Sequence, residues 1–303
     1  MRVSDLGLQQ ILFQGFQQAQ GAAQTRQIQL SSGDEFQTYG EYGADALRLI
    51  SAEGVVTRAN AFETAASAAL TRLETQGVGL ELIGEAINEL RATFSRTLAT
   101  GNAELLFPDI ENAAQRTVAA LNVDFGGVFV FGGADGTTPP VTAATLEEIA
   151  ATPLSSLFNE GDRLNLAVEE GVFIDGGPRA SDAASGLFAE FQTFAEAQEA
   201  LGPFSGNLTD EQRAFLVDAA SRLGAISDAL IQEQGLSALA QGQAADAVER
   251  NARARDLAEI VAADIEDVDI AEALSLLNQD QLAIQASAQA LAQATQLSLL
   301  NFI

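Results

Sequence analysis

Apolar residues recur at helical spacing over most of this chain. Leu80, Ile83, Ile87, Leu90 and Phe94 step by 3, 4, 3 and 4 positions, the repeat with which one helix presents a seam to another. The spacing predicts a helix from Ala44 to about Thr100, stopped at Gly101-Asn102, with Gly77 and Gly79 breaking it into two. Near the other end Ile270, Leu274, Leu277, Gln281, Ile284, Ala288 and Leu291 alternate steps of 4 and 3. That is a second seam, partly polar and partly small. Asp269 stands as its N-cap, with Glu272 three residues on. Residues 3–30 read as a glutamine-rich helix with Val3, Leu6, Leu8, Ile11, Leu12, Phe13 and Phe16 on its apolar side. A shorter helix follows Pro108 through Ile110, Ala114, Val118 and Leu121. Helical spacing returns near Ser185, and again from about residue 210 to Ala262 through Leu216, Ala219, Leu223, Ile226 and Leu230.

Between these helices the pattern changes. The run FGGVFVFGG at 125–133 is short, β-prone and bracketed by glycines. Residues 163–177 alternate through Leu164, Leu166 and Val168, then Val172 and Ile174, and read as two strands. The predicted fold is therefore mainly α. It is an antiparallel helical rod built from both chain ends, with a small α+β outer domain inserted between them. The expected boundaries are 1–123 for the N-terminal rod segment, 124–205 for the insert and 206–303 for the C-terminal rod segment.

Charge sharpens this picture. The 303 residues carry a net charge of −27, and all 15 basic residues are Arg. Such a surface repels phosphate backbones and anionic lipid, so neither nucleic-acid binding nor membrane insertion is expected. A hydrophobic content of 47% and a mean hydropathy of +0.11 argue for a folded chain rather than a disordered polyanion. Residues 1–107 carry a net −5, residues 108–205 a net −12 and residues 206–303 a net −10. The most acidic segment is the insert, as expected of a solvated outer domain rather than a packed centre. The N-terminus has no apolar run or cleavage site of a secretory signal.

Candidate chemistry is sparse. Cys and His are both absent, which removes thiolate catalysis, the commonest general base and the commonest metal ligands. The glycine run 126–136 lacks the G-K-[ST] ending of a phosphate loop and reads as turns flanking a strand. Asp264, Glu266, Asp267, Asp269 and Glu272 lack the spacing of a calcium loop and suit a helix start. Glu169, Glu170 and Asp175 offer carboxylates for acid–base work, or a solvated hairpin turn. No cofactor, no metal and no enzymatic activity are expected.

The two longest charge-free stretches lie near the two ends, at Gly7–Thr25 and at 281–303. Gln281, Gln285, Gln289 and Gln293 form an oblique stripe on the last helix, either a solvated face or an uncharged packing surface between subunits. Matched neutral ends suggest that the two termini lie side by side.

Neutral, heptad-bearing ends around a β-containing insert resemble the flagellin superfamily, and within it the hook-associated protein 3 family. QLSSG at 29–33 resembles the Ser-Gly turn after that family's first helix. LNVDFGGVFVFGG at 121–133 resembles its Leu-Asn…Gly-x-Tyr-x-Phe-x-Gly entry into the outer domain, with Phe129 and Phe131 at the aromatic positions. The stretches 265–287 and 297–303 resemble its last helix and apolar end. SGDEFQTYGEYGADA departs from the Asp-Asp-Pro or Asp-Asp-Ala that usually follows the turn.

The resemblance implies a structural adaptor at the bacterial hook–filament junction. It would be extracellular, exported by the flagellar type III apparatus with a chaperone, and placed between hook-associated protein 1 and flagellin. It also implies assembly with neighbouring copies through Leu6, Leu8, Leu12, Phe16, Ile284, Leu291, Leu299, Leu300, Phe302 and Ile303. A filament-forming flagellin is the alternative within the superfamily. A ligand-binding or hydrolytic module using the acidic insert is the alternative of another class.

Overall fold

The computed structural model describes the backbone of residues 2–300, and side chains at residue 7 and over residues 10–293. In chain order the elements are α1 (Arg2–Ser32), a 3-10 segment (Tyr39–Asp45), α2 (Ala46–Thr100), α3 (Leu106–Leu121), β1 (Asp124–Phe125) and β2 (Val128–Phe129). Then follow α4 (Leu146–Ala151), α5 (Leu154–Leu157), β3 (Asn165–Glu169), β4 (Val172–Asp175), α6 (Ala180–Leu201), α7 (Asp210–Glu266) and α8 (Ile270–Leu300). The fold is mainly α with a small α+β portion, and both sheets are two-stranded and antiparallel. The chain forms two compact units. A terminal unit joins residues 1–57 with 254–303, and a central unit spans 58–253.

In the central unit the predicted seam is fully buried. Along α2, Ala66, Ala69, Leu73, Gln76, Leu80, Ile83, Ile87, Leu90 and Phe94 are all inside, one every third or fourth residue. The facing stripe of α7 is smaller, with Ala219, Ser237, Ala240, Ala244 and Ala247 among Leu216, Leu223 and Leu230. Small side chains on one helix let the other approach closely. The pairing is antiparallel: Gln241 Nε2 donates to the Leu73 carbonyl at 2.9 Å, Gln234 Nε2 to Leu80 at 3.2 Å and Arg213 Nη1 to Leu98 at 2.8 Å. The expectation that Gly77 and Gly79 break this helix is overturned. α2 continues through both, and each glycine makes room. A Cβ at 77 would lie 2.9 Å from Gln241 Nε2, and one at 79 would lie 2.6 Å from Phe131 Cε2.

The middle segment is packed as well as acidic. Phe131, Phe188, Phe191, Phe194 and Phe204 are all buried in the largest apolar cluster, against Leu80, Ile83, Ile87 and Phe94 of α2. Its carboxylates lie mostly outward, so one segment is both the most acidic and the most aromatic-rich. Gly126 and Gly127 form the two-residue turn between β1 and β2, both at positive φ as such a turn requires. The 163–177 strands are present as the β3–β4 hairpin, with Val168 and Ile174 packed on Leu73 and Ala244. Val172, beside the hairpin turn, is exposed instead. Helix α4 escaped the periodicity because it is too short to show one. Its cap is nonetheless present in the sequence: N-cap Thr145 Oγ1 accepts from Glu148 N at 3.2 Å, and Glu148 Oε2 accepts from the preceding Ala144 N at 2.6 Å.

Buried polar groups tie loops to the α2–α7 pair. Gln76 Nε2 donates to the Pro178 carbonyl at 2.6 Å and to Val130 at 3.1 Å, and Arg72 Nη2 donates to Val130 at 2.7 Å. The Glu190 carboxylate is nearly inaccessible and takes both a 2.7 Å and a 2.9 Å bond from Arg222. This bidentate pairing holds the Arg222 guanidinium above its ordinary pKa, the hydrogen bond outweighing the opposing effect of burial.

Two glycines of α2 provide a test of the packing. Gly79→Ala forces its methyl into the fully buried Phe131 ring and is expected to destabilise by about 1–3 kcal/mol. At Gly84 a Cβ meets only ordinary contacts at 3.6 Å. Gly84→Ala should therefore be neutral or stabilising by up to about 1 kcal/mol. Urea unfolding of the two variants, with opposite signs, is the expected outcome.

Candidate assembly interface

The sequence reading placed the functional surface at the chain ends, and the terminal unit brings those ends together. Helix α1 packs along α8. The pair is antiparallel from its closed end, where Asp34 and Asp267 bridge. Val268 N donates to the Gly33 carbonyl at 2.8 Å, and Glu35 N to Glu266 at 2.7 Å. Asp269 caps α8, accepting from Ala271 N at 2.9 Å and Glu272 N at 3.1 Å. Buried Gln29 closes the joint. Its Nε2 donates to the Glu35 carbonyl at 2.6 Å, and its Oε1 accepts from Arg26 Nη1 at 2.8 Å.

Of the expected interface residues, Leu12 and Phe16 on α1 and Ile284 and Leu291 on α8 are half-buried. The register set by the Asp34–Asp267 bridge brings Phe16 to the level of Ile284 and Leu12 near that of Leu291. Leu6, Leu8, Leu299 and Leu300 fall within the helices, but their side chains lie outside the described residues, as do Phe302 and Ile303 altogether.

The seam predicted on α8 is only partly the one used. Ala273, Leu276, Leu277, Asp280, Ile284, Ser287, Ala290 and Leu291 are the sheltered positions among the described side chains, whereas Ile270, Leu274, Gln281 and Ala288 are exposed. On α1, Ile11 and Phe13 point outward at 67% and 50% exposure, contrary to the single apolar side expected there. Both helices therefore carry two apolar faces, and pairing with each other covers one. Gln281, Gln285, Gln289 and Gln293 are all exposed.

Other apolar surface of the terminal unit is open as well. Its buried cluster is small: Leu49, Ala52, Ala262 and Ile265. Beside it, Leu47, Ala52, Val55, Leu257, Ala258 and Val261 line a shallow groove of about 550 Å³. Leu47 and Leu257 are 76% and 66% exposed. Helical spacing over residues 44–100 and about 210–262 does not show which apolar positions lack a partner, so this groove escapes sequence reasoning. The excess of Leu, Ile and Val over the seam repeat was the available signal.

Acidic groups crowd the closed end. Burial pushes the Glu266 carboxyl above the ordinary glutamate range, and the nearby charges of Asp34, Glu53 and Asp267 push it further. Tyr39 donates to Glu53 Oε2 at 2.8 Å, which raises its own phenol pKa. The acidic run 264–272 thus serves as a helix end, a joint and a cap. Among the described residues no group of acidic side chains is arranged to hold a metal ion.

The carboxylates considered for acid–base chemistry are distributed among separate arginines. Glu169 Oε1 accepts from Arg250 Nε at 2.6 Å, Glu170 stands 4.0 Å from Arg58, and Asp175 3.3 Å from Arg163. They anchor the β3–β4 hairpin, which Asn251 Nδ2 also holds through the Val168 carbonyl at 2.9 Å. No described helix is long and apolar enough to cross a membrane.

No protein-family model matches this chain, and no curated protein sequence does. Solved structures do. The chain is similar to a protein of Vibrio parahaemolyticus assigned as a flagellar hook-associated protein, with a TM-score of 0.54 and 12% identity over 72% of this chain and 97% of that one. It also aligns with FlgL of Bacillus cereus, with a TM-score of 0.49 and 11% identity over 65% of this chain and 98% of that one. The first similarity shows a shared fold, that of a flagellar hook-associated protein, in keeping with the resemblance read from the sequence.

Glu266 gives the closed end a pH signature. A carboxyl with a raised folded-state pKa binds its proton more tightly in the folded chain than in the unfolded one. Its contribution to stability is therefore most favourable at low pH and declines as pH rises from the ordinary glutamate pKa through the folded value. Glu266→Gln is expected to raise the melting temperature at pH 7 and to flatten that decline, as followed by thermal unfolding across pH 4–8.

Proposed function

We propose that this protein is a structural subunit of a bacterial flagellum, an adaptor at the hook–filament junction that assembles through its helical ends. One observation carries the reading. The two helices that hold the chain's longest charge-free stretches, α1 and α8, pair within the fold of a flagellar hook-associated protein, and each keeps a second apolar face uncovered. Those faces need neighbours, and the neighbours proposed are hook-associated protein 1, flagellin and further copies of this chain. Residues 1–123 and 206–303 would form the assembling helical segments, and 124–205 the inserted domain facing solvent. Leu6, Leu8, Leu12, Phe16, Ile284, Leu291, Leu299, Leu300, Phe302 and Ile303 would be buried on assembly, gaining about 25 cal/mol per Å² of apolar area covered. The location is extracellular, reached by flagellar export with a chaperone, and the role is mechanical rather than catalytic.

Deleting the gene in the bacterium that carries it tests the junction directly. Hooks without filaments, with flagellin shed into the medium, are expected in electron micrographs and culture supernatants. Normal filaments in that strain would sink the junction role. Long filaments formed by the purified protein alone would favour the filament-forming alternative.

The exposed face of α8 gives a second test. Ile270→Asp with Leu274→Asp alters side chains that are 62% and 47% exposed, so the isolated subunit should stay within about 1 kcal/mol of its normal stability. Complementation of the deletion strain by that variant is expected to fail, with the protein recovered from the medium. Full motility would show that this face is not used.

A further inference from the structure

Far along the chain from the assembling ends, the central unit carries a groove of about 470 Å³ between α4 and α6. It is lined by Phe107, Leu146, Glu147, Ala150, Ala195, Gln198, Glu199 and Pro203. Its floor is apolar. Leu105 and Leu201, two positions along the chain from Phe107 and Pro203, extend the exposed apolar surface at 64% and 36%. Its polar rim is acidic, and neither Glu147 nor Glu199 has a hydrogen-bonding or ion-pair partner among the described residues. Other carboxylates of the unit, Glu81 and Glu111 among them, are also unpaired among the described residues, and what sets Glu147 and Glu199 apart is that they flank an apolar groove. Glu169, Glu190, Glu85, Glu89 and Asp182 are all matched to arginines. Arg116, Arg163, Arg179, Arg222 and Arg250 are thereby committed elsewhere, and no basic side chain lines the groove.

We infer that this groove docks a cationic amphipathic segment of another protein, with an aliphatic or aromatic anchor on the apolar floor and Arg or Lys beside Glu147 and Glu199. The volume lies in the range of pockets that enclose a few side chains. The charge argues against a second copy of this chain as occupant. Outside its charge-free end stretches a second copy would bring another acidic surface to this acidic rim, and the chain has few uncommitted arginines to offer. With so small a contact the complex is weak and transient, and its strength falls with salt.

The test uses the full chain and a synthetic probe. A fluorescein-labelled helix-forming peptide with Leu at i and i+4 flanked by Arg is titrated with the protein at low and physiological salt. The same peptide with Gln for Arg serves as comparison. The proposal expects saturable anisotropy with the Arg peptide alone. Glu147→Gln with Glu199→Gln should weaken binding about three- to tenfold. Ala150→Phe, which fills the groove from an exposed position, should abolish it. The charge-matched control is Glu74→Gln with Glu81→Gln, both exposed and more than three turns along α2 from Thr93 and Arg96, which meet Asp109 beside the groove, and it should leave binding unchanged. Three outcomes would overturn the proposal. The control pair may weaken binding as much as the groove pair, which marks attraction to net charge alone. The probe may bind with no effect of Ala150→Phe, or fail to bind at either salt concentration. Self-association in sedimentation that Ala150→Phe removes would assign the groove to a second copy and equally refute the inference.

Discussion

Everything in the central unit depends on two sequence-distant helices lying close enough for side-chain amides of one to reach backbone carbonyls of the other. Gln241 and Gln234 of α7 do this at Leu73 and Leu80 of α2. That distance is set by the residues between the helices, alanines on α7 and Gly77 on α2. The close approach then positions everything attached. Phe131 reaches the space a Cβ at Gly79 would fill, and the loop carrying it is held by Arg72 and Gln76 through the Val130 carbonyl. A glycine that looks like a helix breaker is here the condition for a loop to dock. Helix propensity costs about 1 kcal/mol per glycine, small against the burial of a phenylalanine ring.

A chain of net charge −27 with few bases must place each base where it settles the most repulsion. Arg163 illustrates the economy, reaching Asp175 and Asp182 at 3.3 Å and Glu233 at 3.8 Å. Burial works against ionisation of Asp182, but its bonds to Arg179 and the charge of Arg163 outweigh that and hold its pKa below the ordinary value. Arginine suits this role better than lysine, because its planar fork can serve two carboxylates with fixed geometry. Most of these pairs are half-exposed, so they direct which loop lies where more than they add to stability.

The sequence made the helices legible and left their partnerships obscure. Leu80 to Phe94 announced a seam and is one, because a long helix buried along one stripe repeats its demand many times. Three classes of feature stayed hidden. Helix α4 has too few turns to show a period, although Thr145 and Glu148 spell its cap. The packed character of the acidic middle was masked by averaging charge over a segment whose phenylalanines and carboxylates face opposite ways. On α8 the apolar positions support two seams offset by one residue. Periodicity cannot choose between Ala273–Ile284 and Ile270–Gln281 when either is an acceptable stripe.

That ambiguity on α8 bears on what the terminal unit is built for. A helix with one apolar stripe is finished when it finds one partner. α1 and α8 find each other and still expose Ile11, Phe13, Ile270, Leu274 and Leu282. A monomeric soluble protein seldom leaves so many large side chains in water on two adjacent helices. The surrounding surface is neutral from Gly7 to Thr25 and beyond Asp280, so like charge does not oppose a third helix there as it would elsewhere on this chain. Glutamines at 281, 285, 289 and 293 are exposed and can bond to a neighbour's amides or to water at little difference in cost, so they suit a solvated face and a packed one alike. In the proposed assembly the same residues would meet two requirements that usually conflict, hydration of the lone subunit and burial against a neighbour. The acidic joint at Glu266 adds a reason for the neutral stretches to begin where they do. Charge gathers at the closed end of the pair, where it caps and turns the chain, and is withheld from the length of helix left open.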